Sequence, residues 1–268
     1  MGSDVLVLAR NMKIYGIVTT YVLKKAALVT SDSLVLNEAS IEFGAKREKV
    51  HLIQNGVDRR MFNEKVDKSI FRSRLGLGDG PIILSTRTLH PLYNIDCLIK
   101  AMPLILKCFP KAKLVLLYFS IELEEDLKLL ARQLGVETAV VFVGQVKYDE
   151  MPYYHAGADV SVSVPSSDSS PCSVYESMAS GTPVVVSDLP WIKHFIREGL
   201  NALVVSLRDP SAIARAVMRI IAEKDLNEKL RENGLATVRS YVDYETNMKK
   251  MAEIMENLLK NSLRRSAQ

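Results

Sequence analysis

From Pro81 onward the hydrophobic positions fall into two alternating rhythms. Short runs apolar on both faces are "IILST" (82–86), "KLVLLY" (113–118), "AVVFV" (139–143), "DVSVSV" (159–164), "PVVVS" (183–187) and "ALVV" (202–205). Between them lie stretches of helical period such as "IDCLIKAMPLILKCF" and "ELEEDLKLLARQLG". Doubly buried strands alternating with helices predict an α/β fold: a Rossmann-like parallel sheet of about six strands, covered by helices on both faces. Crossovers in such a sheet are right-handed, and ligands sit at the carboxyl ends of its strands. The tail from Ala212 to about Leu263 is helical in character.

The first 57 residues read differently. "MKIYGIVTTYVLKKA" is an amphipathic helix, "ALVTSD" a short strand, "LVLNEASIEFG" a helix closed by Gly44, and "KVHLIQ" another strand. Elements this few cannot bury a good core alone. Segment 1–57 is therefore expected to be a piece of a domain packed on the larger one.

Composition narrows the classes. Hydrophobic content of 48% and charged content of 25% are ordinary for a soluble globular chain. The net charge of +4 permits an anionic ligand, but no basic run with interleaved aromatics points to nucleic acid. Three cysteines, without CxxC or metal-ligand spacing, read as reduced thiols of a cytoplasmic protein. The longest apolar stretch, "LVLLYF" (114–119), is far too short to span a bilayer. His51, His90, His155 and His194 lack ligand spacing and read as structural or surface residues. The chain has neither GxGxxG nor GxxxxGK[ST], and "GLGDG" (76–80) reads as a turn.

The chemistry concentrates in "VPSSDSSPCSVYESMASGTPVVVSD" (164–188). Ser170 is placed to cap a helix whose first residue is Pro171, with Gly181 as the left-handed stop. Free N–H groups of Ser169, Ser170, Cys172 and Ser173 at that helix start, aided by its dipole, form a site for a phosphate. Glu176, about one and a half turns further in, suits a pair of neighbouring hydroxyls such as those of a ribose. A second reading stays open: "SVYE" also fits a capping box, with Ser173 capping and Glu176 reaching back.

Asp168 and Glu176, with seven residues between them and followed by "SMASGTPVVVSD", resemble the acidic signature of retaining family-4 glycosyltransferases of the GT-B fold. "HLIQNGVDRRMF" (51–62), "VVFVGQVKYDEMPYYHAGADVSVSVPS" (140–166) and "EGLNALVVSLRDPSAIARAV" (198–217) are similar to the family's interdomain segment and to the stretches flanking the signature. The resemblance implies a nucleotide diphosphate sugar as donor substrate, no cofactor, no metal and transfer with retention. It puts Glu176 on the ribose, Asp168 beside the transferred sugar, the amides of 169–173 on the diphosphate, and Gln145 and Val146 at the base. The chain has no Asp-x-Asp, in keeping with the expected absence of metal.

"ILSTRTLHPLYNIDCLIKA" (83–101) resembles the block in which the family places an arginine and a lysine on the diphosphate. Arg87 fits the arginine. Tyr93 and Asn94 stand at the lysine position, where they would have to compensate with neutral hydrogen bonds for a contact worth about 1.5–3 kcal/mol. In "LLYFSIELEEDL" (116–127), which replaces a glycine-containing loop, Tyr118 and Phe119 read as core.

The expected organisation is 1–57 as a partial, acceptor-side N-terminal domain, 58–243 as the nucleotide-sugar domain, and 244–268 as a helix crossing back. A complete GT-B enzyme carries two Rossmann-like domains, so most of the first is expected to lie outside this sequence. A longer reading frame or a partner chain would then supply it. The implied activity is sugar transfer to a carbohydrate or lipid-linked acceptor, in the cytoplasm or peripherally at the inner membrane face. The alternatives are a donor-binding module inactive alone and, with less support, another nucleotide-using α/β enzyme.

Overall fold

The computed structural model describes the chain from Asp4 to Ser266, with side-chain surroundings through Lys260. Met1–Ser3, which open the expected N-terminal segment, and Ala267–Gln268, which end the expected crossing helix, lie outside the described residues.

Turns over Asp4–Leu8 and Ala9–Asn11 lead into α1 (Lys13–Lys25), β1 (Val29–Ser31), α2 (Leu34–Glu42) and β2 (Val50–Leu52). The two strands pair in parallel, Val29 opposite Val50 and Ser31 opposite Leu52. Ser33 caps α2 by accepting a hydrogen bond from Leu36 N–H at 3.2 Å. These are the four elements expected of segment 1–57.

The remainder is an alternating α/β unit. It runs α3 (Ser69–Leu75), β3 (Ile82–Ser85), α4 (Ile95–Cys108), β4 (Lys113–Leu117), α5 (Glu124–Gln133), β5 (Val140–Gly144), α6 (Met151–Gly157), β6 (Val160–Ser163), α7 (Cys172–Ala179), β7 (Val184–Ser187), α8 (Ile192–Phe195) and β8 (Leu203–Val205). Helices α9 (Pro210–Ala222), α10 (Lys224–Tyr241) and α11 (Tyr244–Ser266) follow. The six strands pair in the order β5-β4-β3-β6-β7-β8, all parallel. Every residue of β3, β6 and β7 is buried, because helices cover both faces.

One face packs α4, α5 and α9 through Leu98, Met102, Ala131, Ile213 and Val217. The other packs α7, α8 and α10 through Tyr175, Met178, Phe195 and Val238, with α3 and α6 alongside through Phe71 and Tyr154. Tyr118 joins the core, but Phe119 does not: it is 75% exposed just past the carboxyl end of β4. The sequence expectation for Phe119 is corrected, since the chain has left the sheet one residue before it.

The two parts are stitched where the chain leaves β2. Val57 N–H donates to Val242 C=O at 2.7 Å, and Tyr244 N–H donates to Val57 C=O at 3.2 Å. Gly56 has φ +78°, and a Cβ there would stand 2.6 Å from the Tyr244 Cα, so only glycine lets the two backbones approach. Helix α11 begins at this junction, with Arg60 3.2 Å from Glu245.

Candidate active site

Strand order reverses direction beside β3, whose neighbours β4 and β6 lie on opposite sides. A crevice opens at the carboxyl ends of strands at such a switch point. Two loops enter it, one after β3 carrying Arg87 and one after β6 carrying residues 164–171. Asn94 ties them together from the left-handed region, with φ +52° and 1% exposure. Its amide nitrogen donates to Val164 C=O and to the Ser166 hydroxyl, both at 2.9 Å. Its amide oxygen accepts from Arg208 at 2.8 Å.

Arg87 crosses the crevice. Its guanidinium lies 2.7 Å from the Asp168 carboxylate, with side-chain exposures of 13% and 8%. A second nitrogen donates to the Ser173 hydroxyl at 3.3 Å, and the group stacks over the Tyr93 ring, 4.4 Å from its centroid. A pair this sheltered holds together only because extra contacts offset its desolvation.

Glu176, facing inward from α7, accepts a hydrogen bond from the Tyr148 hydroxyl at 3.2 Å and stands 3.6 Å from His155 Nε2. His155 is fully buried and anchored by Ser177 at 2.8 Å. Burial and then the Glu176 charge push the Tyr148 phenol up, so Tyr148 is a hydrogen-bond donor at neutral pH. Cys172 is reachable by solvent, yet enclosure and then the charges of Glu176, Asp32 and Asp168 raise its thiol. It is a protonated crevice residue rather than a nucleophile.

Segment 1–57 supplies the opposite wall. Asp32, just past β1, accepts from the Ser169 hydroxyl at 3.2 Å, and Gln54 accepts from the Ser170 hydroxyl at 2.9 Å. Burial is the main reason that the Asp32 carboxyl sits above its ordinary value, with Asp168 adding to it.

The structure thus brings Arg87, Tyr93, Asp168, Ser173 and Glu176 to one crevice. Several expectations change. The helix begins at Cys172, with Pro171 in an extended conformation before it. Ser170 is no cap, because its hydroxyl is drawn to Gln54 and to Tyr175, 3.2 Å away. Ser169 turns its amide onto Asp168 at 2.8 Å rather than into the crevice. The capping box does not form: Ser173 lies inside the helix and Glu176 faces Tyr148. Asn94, expected to replace a diphosphate lysine, spends its amide on the two loops. Gln145 and Val146 follow β5 directly, Gln145 exposed and Val146 half-buried against the α3–α6 side. Tyr148, His155, Asp32 and Gln54 were missed as site residues. The only available signals were their places just past strands or on a short helix beside the sheet.

A Rossmann-like α/β unit with acids and an arginine at its switch point is a frame for binding a phosphorylated ligand. The chain belongs to the glycosyl transferases group 1 family, whose model matches residues 67–237. An uncharacterized glycosyltransferase of Methanocaldococcus jannaschii is 31% identical over 210 residues, covering 77% of this chain and 53% of its own length. An alpha-monoglucosyldiacylglycerol synthase of Streptococcus pneumoniae is 30% identical, covering 75% of this chain and 46% of its own. The chain spans about half the length of the curated relatives it matches. Among solved structures, Anabaena HepE in complex with UDP-glucose superposes with a TM-score of 0.86 at 21% identity, covering 95% of this chain and 70% of that one. Sucrose-phosphate synthase of Thermosynechococcus elongatus gives 0.84 at 24% identity, covering 95% and 64%. The six-stranded sheet with helices on both faces matches glycosyltransferase structures of the GT-B type.

Proposed function

We infer that this chain binds the donor in a retaining, family-4 type glycosyltransferase, which moves a sugar from a nucleotide diphosphate to a carbohydrate or lipid-linked acceptor without cofactor or metal. The observation that carries this reading is the convergence of Arg87, Asp168 and Glu176 on one crevice beside the first turn of α7. Cys172 and Ser173 present amide N–H groups there that a helix leaves without internal acceptors. Together with Arg87 they stabilise negative charge on the departing diphosphate, where it develops as the sugar bond breaks. Glu176 accepts hydrogen bonds from the ribose hydroxyls, and Gln145 and Val146 present backbone to the base. Asp168 faces the transferred sugar.

Thermal unfolding with UDP, GDP and ADP, repeated on Glu176→Ala, tests the reading. Stabilisation by at least one nucleoside diphosphate is expected, reduced in the variant. A chain indifferent to all three does not bind such a donor.

A second reading, a donor module that needs a partner chain for turnover, is favoured by α1. Ile14, Ile17, Val18, Tyr21 and Val22 form one stripe of that helix, each more than half exposed, with values from 55% to 75%. Nucleotide binding without turnover of any nucleotide sugar would select it.

A further inference from the structure

Beside the crevice runs a second cavity of about 480 Å³, between α2 and the segment that follows β7. Leu34, Val35 and Ala39 form its apolar side on α2, and Pro190 and Trp191 face them. From Leu34 to Glu42 the α2 wall is about 12 Å long at about 1.5 Å per residue. Its Leu34 end adjoins the transfer site, because Asp32 and Ser33 precede that residue and Asp32 touches Ser169 at 3.2 Å.

The charges around the cavity are unequal. Glu38 is held by Arg47 at 3.1 Å, and Glu42 by Arg10 at 2.7 Å, so both acids on the α2 side are neutralised. Lys193 and Arg197 line the opposite side, and among the described residues neither has a carboxylate partner. Arg197 donates to the carbonyls of Lys193 and Ile196, which orders its guanidinium without cancelling its charge. The cavity therefore offers apolar walls and two uncompensated cations.

We propose that this groove seats the acceptor, and that the acceptor is a lipid: an alkyl or prenyl chain carrying a phosphate. The chain lies between α2 and Trp191, and the phosphate meets Lys193 and Arg197. The proposal rests on the sugar-transfer reading and narrows its acceptor to the lipid-linked class.

Trp191 is the single tryptophan of the sequence, so no other tryptophan contributes to the fluorescence that reports this groove. Titration of the full chain with 10-bromodecyl phosphate should quench Trp191 saturably, bromine requiring near contact. Decanol and inorganic phosphate should each compete at least tenfold more weakly than decyl phosphate. The double variant Lys193→Glu/Arg197→Glu should weaken decyl phosphate at least fivefold, and Leu34→Asp should abolish the quench. Each variant should keep the wild-type thermal shift with UDP, GDP or ADP, which shows a folded chain with an intact donor site. Absence of quenching, equal binding of decanol, or equal binding of inorganic phosphate overturns the proposal. So does concentration-dependent self-association that blocks the quench, which would make the groove an interface between copies. Nucleotide binding without decyl phosphate binding sinks the acceptor assignment alone. Decyl phosphate binding without nucleotide binding upholds the groove and sinks the donor reading.

Discussion

Arg87 and Asp168 neutralise one another at 2.7 Å in a crevice whose proposed ligand is a dianion. The arginine that should meet the diphosphate is engaged by the acid that should face the sugar. Donor binding and this ion pair are therefore in competition for Arg87.

Asp168→Asn should tighten UDP binding by about tenfold or more, because Arg87 is released from its partner for a contact worth about 1.5–3 kcal/mol. The same variant should lose at least a hundredfold in sugar transfer. Its stability should fall by less than the about 3–5 kcal/mol of a fully buried broken pair, since a crevice admits water. Calorimetric titration, turnover and urea unfolding of the one variant separate these effects. Weaker nucleotide binding by Asp168→Asn would contradict the competition.

Glu176→Gln should lower affinity for UDP about tenfold while leaving 2′,3′-dideoxy-UDP almost unchanged. The lost term is the charged acceptor for the ribose hydroxyls. Tyr148→Phe should cost no more than about 1 kcal/mol, because it removes one neutral donor to Glu176 at 3.2 Å. Equal losses for the two nucleotides in Glu176→Gln would place that carboxylate elsewhere than on the ribose.

Asn94 separates structural from ligand roles. Asn94→Gly removes the ties to Val164 and Ser166 but keeps the φ of +52° without strain. Asn94→Ala removes the ties and adds about 1–2 kcal/mol of left-handed strain. The alanine variant should be the less stable of the two by about that amount in denaturant unfolding. Nucleotide affinity of the folded variants should change little.

Asp32 makes stability fall as pH rises. Its carboxyl is raised in the folded chain, mainly by burial, so between its ordinary value and its folded value the native state binds more proton than the unfolded one. The penalty of the buried charge is full above the raised value and is relieved as pH falls through it. Asp32→Asn keeps an oxygen for the Ser169 hydroxyl and removes the charge. Its melting temperature should exceed wild type at pH 7, and the gap should close on acidification toward pH 4. A variant less stable than wild type at pH 7 would show that the Asp32 charge is compensated.

The six main strands were legible because each is a short run apolar on both faces, which few other structures tolerate. Glu176 and Arg87 were legible for a different reason, their places in motifs that fix position after a strand. The start of α7 was not. Local rules favoured Ser170 as cap and Pro171 as first residue, but Gln54, more than a hundred residues earlier, takes the Ser170 hydroxyl. Tyr148 and His155 were invisible for the same cause. Their roles come from where α6 and the loop after β5 pack against α7, and no periodicity records that. Asn94 shows the same limit, because a polar residue at a loop tip looks available in sequence and only the fold shows its burial.

The stitch of Val57 to residues 242–244 also bears on when this molecule becomes whole. Arg59 and Asp243, beside it, are 184 residues apart in the chain. The α/β unit from β3 to β8 closes through neighbouring strands and short crossovers, but segment 1–57 has no backbone partner across this junction until α10 has been made. Contacts of such span form late, and they slow folding relative to local ones. During synthesis the helices and strands of segment 1–57 cannot close this junction until residues 242–244 have been made. The wall bearing Asp32 and Gln54 is thus fastened to the crevice late, although it is made before the strands that it faces.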